Sequence, residues 1–145
     1  MNTNTAVAPT TEEISTAYGD AWNAQDLDAI MALHTEDTTF QLYAGGEPAV
    51  GIEGVREAFA QFLTQFPDIH FAERRLILGD RHWVLESRVT ATLAAPIEVE
   101  GETLDAAAQE VEFDAVDVIT VEGGLVKTKA TYIDALAVQR QLGAA

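Results

Sequence analysis

A chain of 145 residues that is 48% hydrophobic makes one domain with a substantial core. It has no cysteine, which excludes disulfides, thiolate metal sites and cysteine nucleophiles. A net charge of -16 argues against nucleic acid, anionic membranes and polyanionic substrates as partners.

Residues 1–10 lack the basic and apolar runs of a secretory signal and read as a disordered tail before a single domain over 11–143. No window approaches the ~18 apolar residues of a membrane span, so the cytoplasm is the expected location. Thr10 and Glu13 have the spacing of a capping box, and Ile14, Ala17, Tyr18, Ala21 and Trp22 repeat at helical spacing, so a helix is expected over 11–23, closed by Asn23. Asp26 caps a second helix with Leu27, Ile30, Met31 and His34 on its inner face. Residues 37–43 alternate as a strand, and Gly45 to Pro48 form a turn. A third helix over 52–65 places Val55, Phe59, Phe62 and Phe66 on one face before Pro67 ends it. Strands follow over 69–78 and 82–94. In the second of these, Trp83, Leu85 and Val89 share one side, and Glu86, Arg88 and Thr90 share the other. Residues 95–104 suggest a loop or irregular hairpin. A final hairpin over 109–121 and 125–134 turns at Glu122-Gly123-Gly124, and 135–142 continues as a short helix or strand.

Helices first and an antiparallel meander last make this an α+β chain, with a strongly curved sheet wrapped as a cone around about three N-terminal helices. The sharpest chemical signal is Asp117, alone among valines and isoleucines in the middle of a strand. A carboxylate there costs several kcal/mol unless it is paired, hydrogen-bonded, protonated or solvated by a cavity. Across the hairpin it lands opposite residue 129, 130 or 131, so Lys129 is its candidate partner. A carboxylate locked to Lys129 reads as structural; one facing a cavity free of Lys129 reads as a working acid. The three histidines show no metal-ligand spacing, and neither a metal nor a cofactor is expected.

Several segments, in order, resemble the nuclear-transport-factor-2-like cone fold, and more closely its SnoaL-like branch of polyketide cyclases. They are Tyr18-Gly19-Asp20-Ala21-Trp22 with Asp26-Leu27-Asp28-Ala29-Ile30, Gly51 with the third helix, FPDIHF at 66–71, Leu78-Gly79-Asp80, and Asp117 to Gly124 followed by Tyr132-Ile133-Asp134 and Arg140 to Gly143. The likeness spans about 11–143.

The resemblance implies three chemistries. A ketosteroid-isomerase-like site would match its oxyanion-binding tyrosine to Tyr18 and its partner acid to Asp117, with His34 and Phe59 where that family has supporting tyrosines. Its catalytic base would fall on Leu42, which is no base, and neither Gln41 nor Tyr43 replaces it. A limonene-epoxide-hydrolase-like site would place its arginine at Arg88 and its aspartates at Thr90 and Thr131, which cannot do that work. A SnoaL-like cyclase needs one buried acid, which Asp117 supplies, with Tyr18 and His34 as donors to the substrate oxygen.

The resulting expectation is acid/base isomerase or cyclase chemistry on an apolar carbonyl compound of polyketide, steroid or terpenoid type. Asp117, Tyr18 and His34 are the candidate catalytic residues. Trp22, Phe40, Leu42, Phe59, Phe62, Arg88, Lys129 and Thr131 are the candidate substrate-binding residues. The alternative is a non-catalytic ligand-binding or dimerisation module on the same fold. The resemblance also implies a homodimer through the outer sheet face, to which Trp83, Leu85 and Val89 contribute if their side faces outward.

Overall fold

Thr10 opens the first helix through the expected capping box: its hydroxyl accepts from the Glu13 backbone N–H, and the Glu13 carboxylate accepts from the Thr10 N–H. The computed structural model describes residues 7–105 and 108–143, so most of the expected tail, residues 1–6, lies outside the described residues. Helix α1 spans Thr11–Asn23 and buries Ile14, Tyr18, Ala21 and Trp22. Asn23 is its last residue. Its side-chain amide clasps the backbone of Phe71, donating to the Phe71 carbonyl and accepting from the Phe71 N–H.

Asp26 caps α2, Leu27–Met31, as expected. That helix stops before His34, which instead begins strand β1, His34–Tyr43. After the two-residue strand β2, Ala49–Val50, helix α3 runs Gly51–Gln65 and seats Val55 and Phe59 against the sheet. Fully burying a side chain such as Phe59 stabilises by roughly 1.5–3 kcal/mol. Strands β3, His70–Leu78, and β4, His82–Thr92, follow. Residues 95–104 contain a small hairpin, β5 Ile97–Val99 with β6 Glu102–Leu104. The long strands β7, Glu110–Glu122, and β8, Leu125–Ile133, come last, and 135–142 is a helix, α4 Ala135–Leu142. Gly123 and Gly124 alone join β7 to β8, both at positive φ (59° and 81°), as a two-residue hairpin turn demands.

The main sheet has the order β2-β1-β8-β7-β4-β3, antiparallel except where β1 lies parallel to β8. It curls around the helices as a cone. Strand β7 alternates without a break: Val111, Phe113, Ala115, Asp117 and Ile119 point into the cone and their neighbours point out. Register carries that inner face onto β4 as Leu85 opposite Asp117 and Trp83 opposite Ile119. Trp83 and Val89 are therefore core residues, 1% and 0% exposed, and do not form the outer face. The outer face is instead carried by the row Ile77, Val84, Val118 and Ala130, with Tyr43 stacked on Tyr132 beside it at 4.4 Å. No helix among the described residues is long and apolar enough to cross a membrane.

Candidate functional site

The sheet's parity puts three polar side chains together on its inner face. Thr131 on β8 is opposite Asp117 on β7, and Lys129, two residues earlier, reaches diagonally back to the same carboxylate. Asp117 Oδ1 accepts from the Lys129 ammonium at 3.2 Å and from the Thr131 hydroxyl at 2.5 Å. All three are buried: Asp117 is 3% exposed, Lys129 7% and Thr131 8%. Such a pair persists because each charge meets the other and polar or aromatic neighbours. The ammonium lies 5.2 Å from the centre of the Tyr18 ring and 5.4 Å from that of Trp22, close enough for cation–π attraction.

These groups form the inner end of a cavity with largely apolar, aromatic-rich walls. Trp22, Phe40, Leu42, Phe59 and Phe62 line it as expected, together with Asp117, Lys129 and Thr131. Phe59 anchors an edge-to-face cluster with Trp22 and Phe40, both at 4.9 Å between ring centres. Glu98, which is exposed, and Gln65 supply polar groups on the cavity's rim.

Arg88 is not part of this site. It has the opposite parity to Val89, lies on the outer face, and pairs there with Glu112 at 2.9 Å and Asp114 at 3.2 Å. Thr90 is likewise exposed. Of the three positions suggested by epoxide hydrolases, only Thr131 reaches the cavity.

The expected trio of Asp117, Tyr18 and His34 is not assembled around the cavity, because only Asp117 lines it. Tyr18 and His34 lie deeper in the core, hydrogen-bonded to each other from the tyrosine hydroxyl to His34 Nε2 at 2.9 Å. The other ring nitrogen, Nδ1, meets the hydroxyl of Thr38 at 2.8 Å. Burial, and then the positive charge of Lys129, lower the His34 pKa from 6.5 to about 3, so the imidazole is neutral near neutral pH. Burial pushes the Tyr18 phenol well above its ordinary range, with the Asp117 charge adding to the effect.

Sequence reasoning missed the cavity residues Phe71, Phe113, Ala115 and Val138. The signal for Phe113 and Ala115 was present: they precede Asp117 by four and two residues and share its face. Val138 arrives through α4, whose state the sequence left open.

Asp117 faces the cavity, as a working acid would, but it is bonded to Lys129 as well as to Thr131, and the bond to Lys129 is the arrangement expected of a structural carboxylate. Both of those bonds fall on Oδ1. Among the described residues Oδ2 accepts no hydrogen bond. One oxygen is thus anchored twice and the other is not engaged by these two partners.

Solved structures share this architecture. A protein from Jannaschia sp. CCS1 described as a SnoaL-like polyketide cyclase superposes with a TM-score of 0.81 at 21% identity, over 99% of each chain. A SnoaL-like polyketide cyclase from Agrobacterium tumefaciens matches at 0.75 and 20% identity, over 92% of this chain and 98% of that one. A phenazine biosynthesis-related protein from Pseudomonas aeruginosa matches at 0.74 and 17% identity, over 92% of this chain and 85% of that one. At these identities the likeness establishes the fold. No curated protein sequence matches the chain. The family model for SnoaL-like polyketide cyclases matches residues 12–142, nearly the whole cone and its cavity, and the chain therefore belongs to the SnoaL-like polyketide cyclase family.

Proposed function

We propose that the cone binds a neutral, largely apolar ring compound of polyketide, steroid or terpenoid type, carbonyl end inward, and that Asp117 performs acid/base chemistry on it. The observation that carries this reading is the Asp117 carboxylate at the inner end of an aromatic cavity, with Oδ2 uncommitted. Oδ2 removes a proton from the carbon beside the carbonyl. The C–H electron pair becomes the C=C bond of an enolate, and the carbonyl π pair moves to oxygen. Returning the proton at the same or another carbon completes an isomerisation, and attack of the enolate carbon on a second carbonyl would close a ring, the proton on Oδ2 passing to the new alkoxide. Dry apolar walls strengthen each electrostatic contact in the step.

The test uses 2-tetralone, a fused-ring ketone with acidic α-hydrogens, in deuterium oxide. Proton NMR should show faster α-deuteration with the protein and no acceleration with Asp117→Asn. A second reading, binding without turnover, draws on the Lys129 and Thr131 bonds to Asp117 and on Leu42 where the related isomerases carry their base. It predicts that 2-tetralone signals broaden on binding while deuteration stays at the solvent rate.

The outer sheet face supports association with a second copy. On a chain of charge -16, copies meet most easily where charge is balanced. Arg75 pairs with Glu86 there, and Arg88 with Glu112 and Asp114, around the exposed Ile77, Val118 and Tyr132. A homodimer through this face is part of the proposal.

A further inference from the structure

The resemblance assigns the oxygen-binding role to Tyr18, yet the Tyr18 hydroxyl meets His34 and the residue does not line the cavity. We propose that Lys129 is the group that grips the ligand's oxygen, and that with Asp117 it selects ring compounds bearing a hydroxyl or enolised carbonyl. The proposal rests on the cavity being the ligand site and deepens that reading by naming the chemical group the cavity recognises.

The chain has two lysines, and they differ sharply. Lys127 is near the surface and paired with Asp37. Lys129 is 7% exposed at the inner end of an apolar cavity, a costly place for an ammonium. An ammonium has three N–H donors. Among the described residues, its one hydrogen bond is to Asp117 Oδ1. The Tyr18 and Trp22 rings hold the head group from the side through their π faces without using a donor in an ordinary hydrogen bond. The arrangement thus fixes the position of the cation and leaves hydrogen-bonding capacity unspent beside the cavity. Asp117 is arranged in the complementary way, with Oδ1 taken twice and Oδ2 free.

A free donor and a free acceptor side by side define a recognition pattern. A phenol or enol oxygen satisfies both, accepting from Lys129 Nζ and donating its own hydrogen to Asp117 Oδ2. A simple ketone satisfies the lysine alone. A hydrocarbon satisfies neither and desolvates two charged groups, which opposes its binding. As charge develops on the oxygen during enolisation, a neighbouring ammonium stabilises it more than it stabilises the neutral carbonyl, which is the condition for lowering a barrier.

The test compares 2-naphthol with naphthalene by equilibrium dialysis near neutral pH. Asp117→Asn retains Lys129, and Asp117→Asn/Lys129→Met removes it without leaving a carboxylate buried alone. The unaltered chain and Asp117→Asn should prefer 2-naphthol by at least about tenfold, the scale of a hydrogen bond to a charged group. In the double variant the preference should fall below about twofold while naphthalene still binds. A double variant that keeps the tenfold preference overturns the proposal. If naphthalene and 2-naphthol bind no form of the protein, the cavity is not the ligand site and both readings fall together.

A second measurement needs no substitution. With two lysines, the ¹⁵N resonances of the side-chain ammonium groups are read directly. 2-Naphthol should shift the Lys129 Nζ signal and leave Lys127 in place, and naphthalene should shift neither comparably. Equal shifts of Lys129 with both ligands would contradict an oxygen contact.

Discussion

Lys129 Nζ lies 3.2 Å from Asp117 Oδ1, and the two side chains, from adjacent strands, together border the inner end of the cavity. Their energies are therefore coupled. Lys129→Met alone strands a carboxylate in the interior and should lower stability by about 3–5 kcal/mol in urea unfolding. Adding Asp117→Asn removes the stranded charge, so the double variant should be the more stable of the two by at least about 1 kcal/mol. Strict additivity of the two single substitutions would show that the pair does not interact.

His34 gives a pH signature with a definite sign. Its folded pKa is near 3 against 6.5 for an unperturbed imidazole, so the unfolded chain takes up a proton first as pH falls. The stability it contributes is complete above about 6.5 and is lost progressively from there down to about 3. Between pH 7.5 and 5.5, where ordinary carboxylates barely titrate, the loss is at most about 1.4 kcal/mol. Urea unfolding at both pH values should show that loss in the unaltered chain and little of it in His34→Gln. His70 and His82 are exposed and common to both proteins, so they cancel in the comparison.

The capping box at α1 should be worth a measurable amount. Thr10→Ala removes the acceptor for the Glu13 N–H and should cost about 1 kcal/mol in thermal or urea unfolding. Because Thr10 lies at the opposite end of α1 from Trp22, binding of 2-naphthol to the folded variant should be unchanged.

Association through the outer sheet face is tested by Val118→Lys. Val118 is 37% exposed near the centre of that face. Light scattering should give about twice the chain mass for the unaltered protein and the single-chain mass for the variant. A monomeric unaltered protein would refute the dimer.

Much of this architecture is legible in the residues, and the gaps have physical causes. The alternation of 111–119 and the pair Gly123-Gly124 define the final hairpin, because period two and positive φ are local properties. His34 continues the helical spacing of Leu27, Ile30 and Met31, and nothing local says that the helix ends after Met31 and that the same buried side chain belongs to a strand. Asp117 and Lys129 are recognisable as partners, but their registration depends on the two-residue turn and on a bulge between Thr120 and Val121, which set Thr131 opposite Asp117. Whether Tyr18 reaches the cavity or stops beneath it depends on how deeply α1 seats in the cone. That is a long-range packing outcome, and it transfers the oxygen-binding role proposed above from Tyr18 to Lys129.

The most direct test is a crystal structure of the protein with 2-naphthol bound, read at the ligand oxygen. The account predicts the rings against Trp22, Phe40 and Phe59, with the oxygen within about 2.6–3.2 Å of both Lys129 Nζ and Asp117 Oδ2. An oxygen turned outward toward Glu98 and Gln65, or a ligand bound outside the cone, would contradict it.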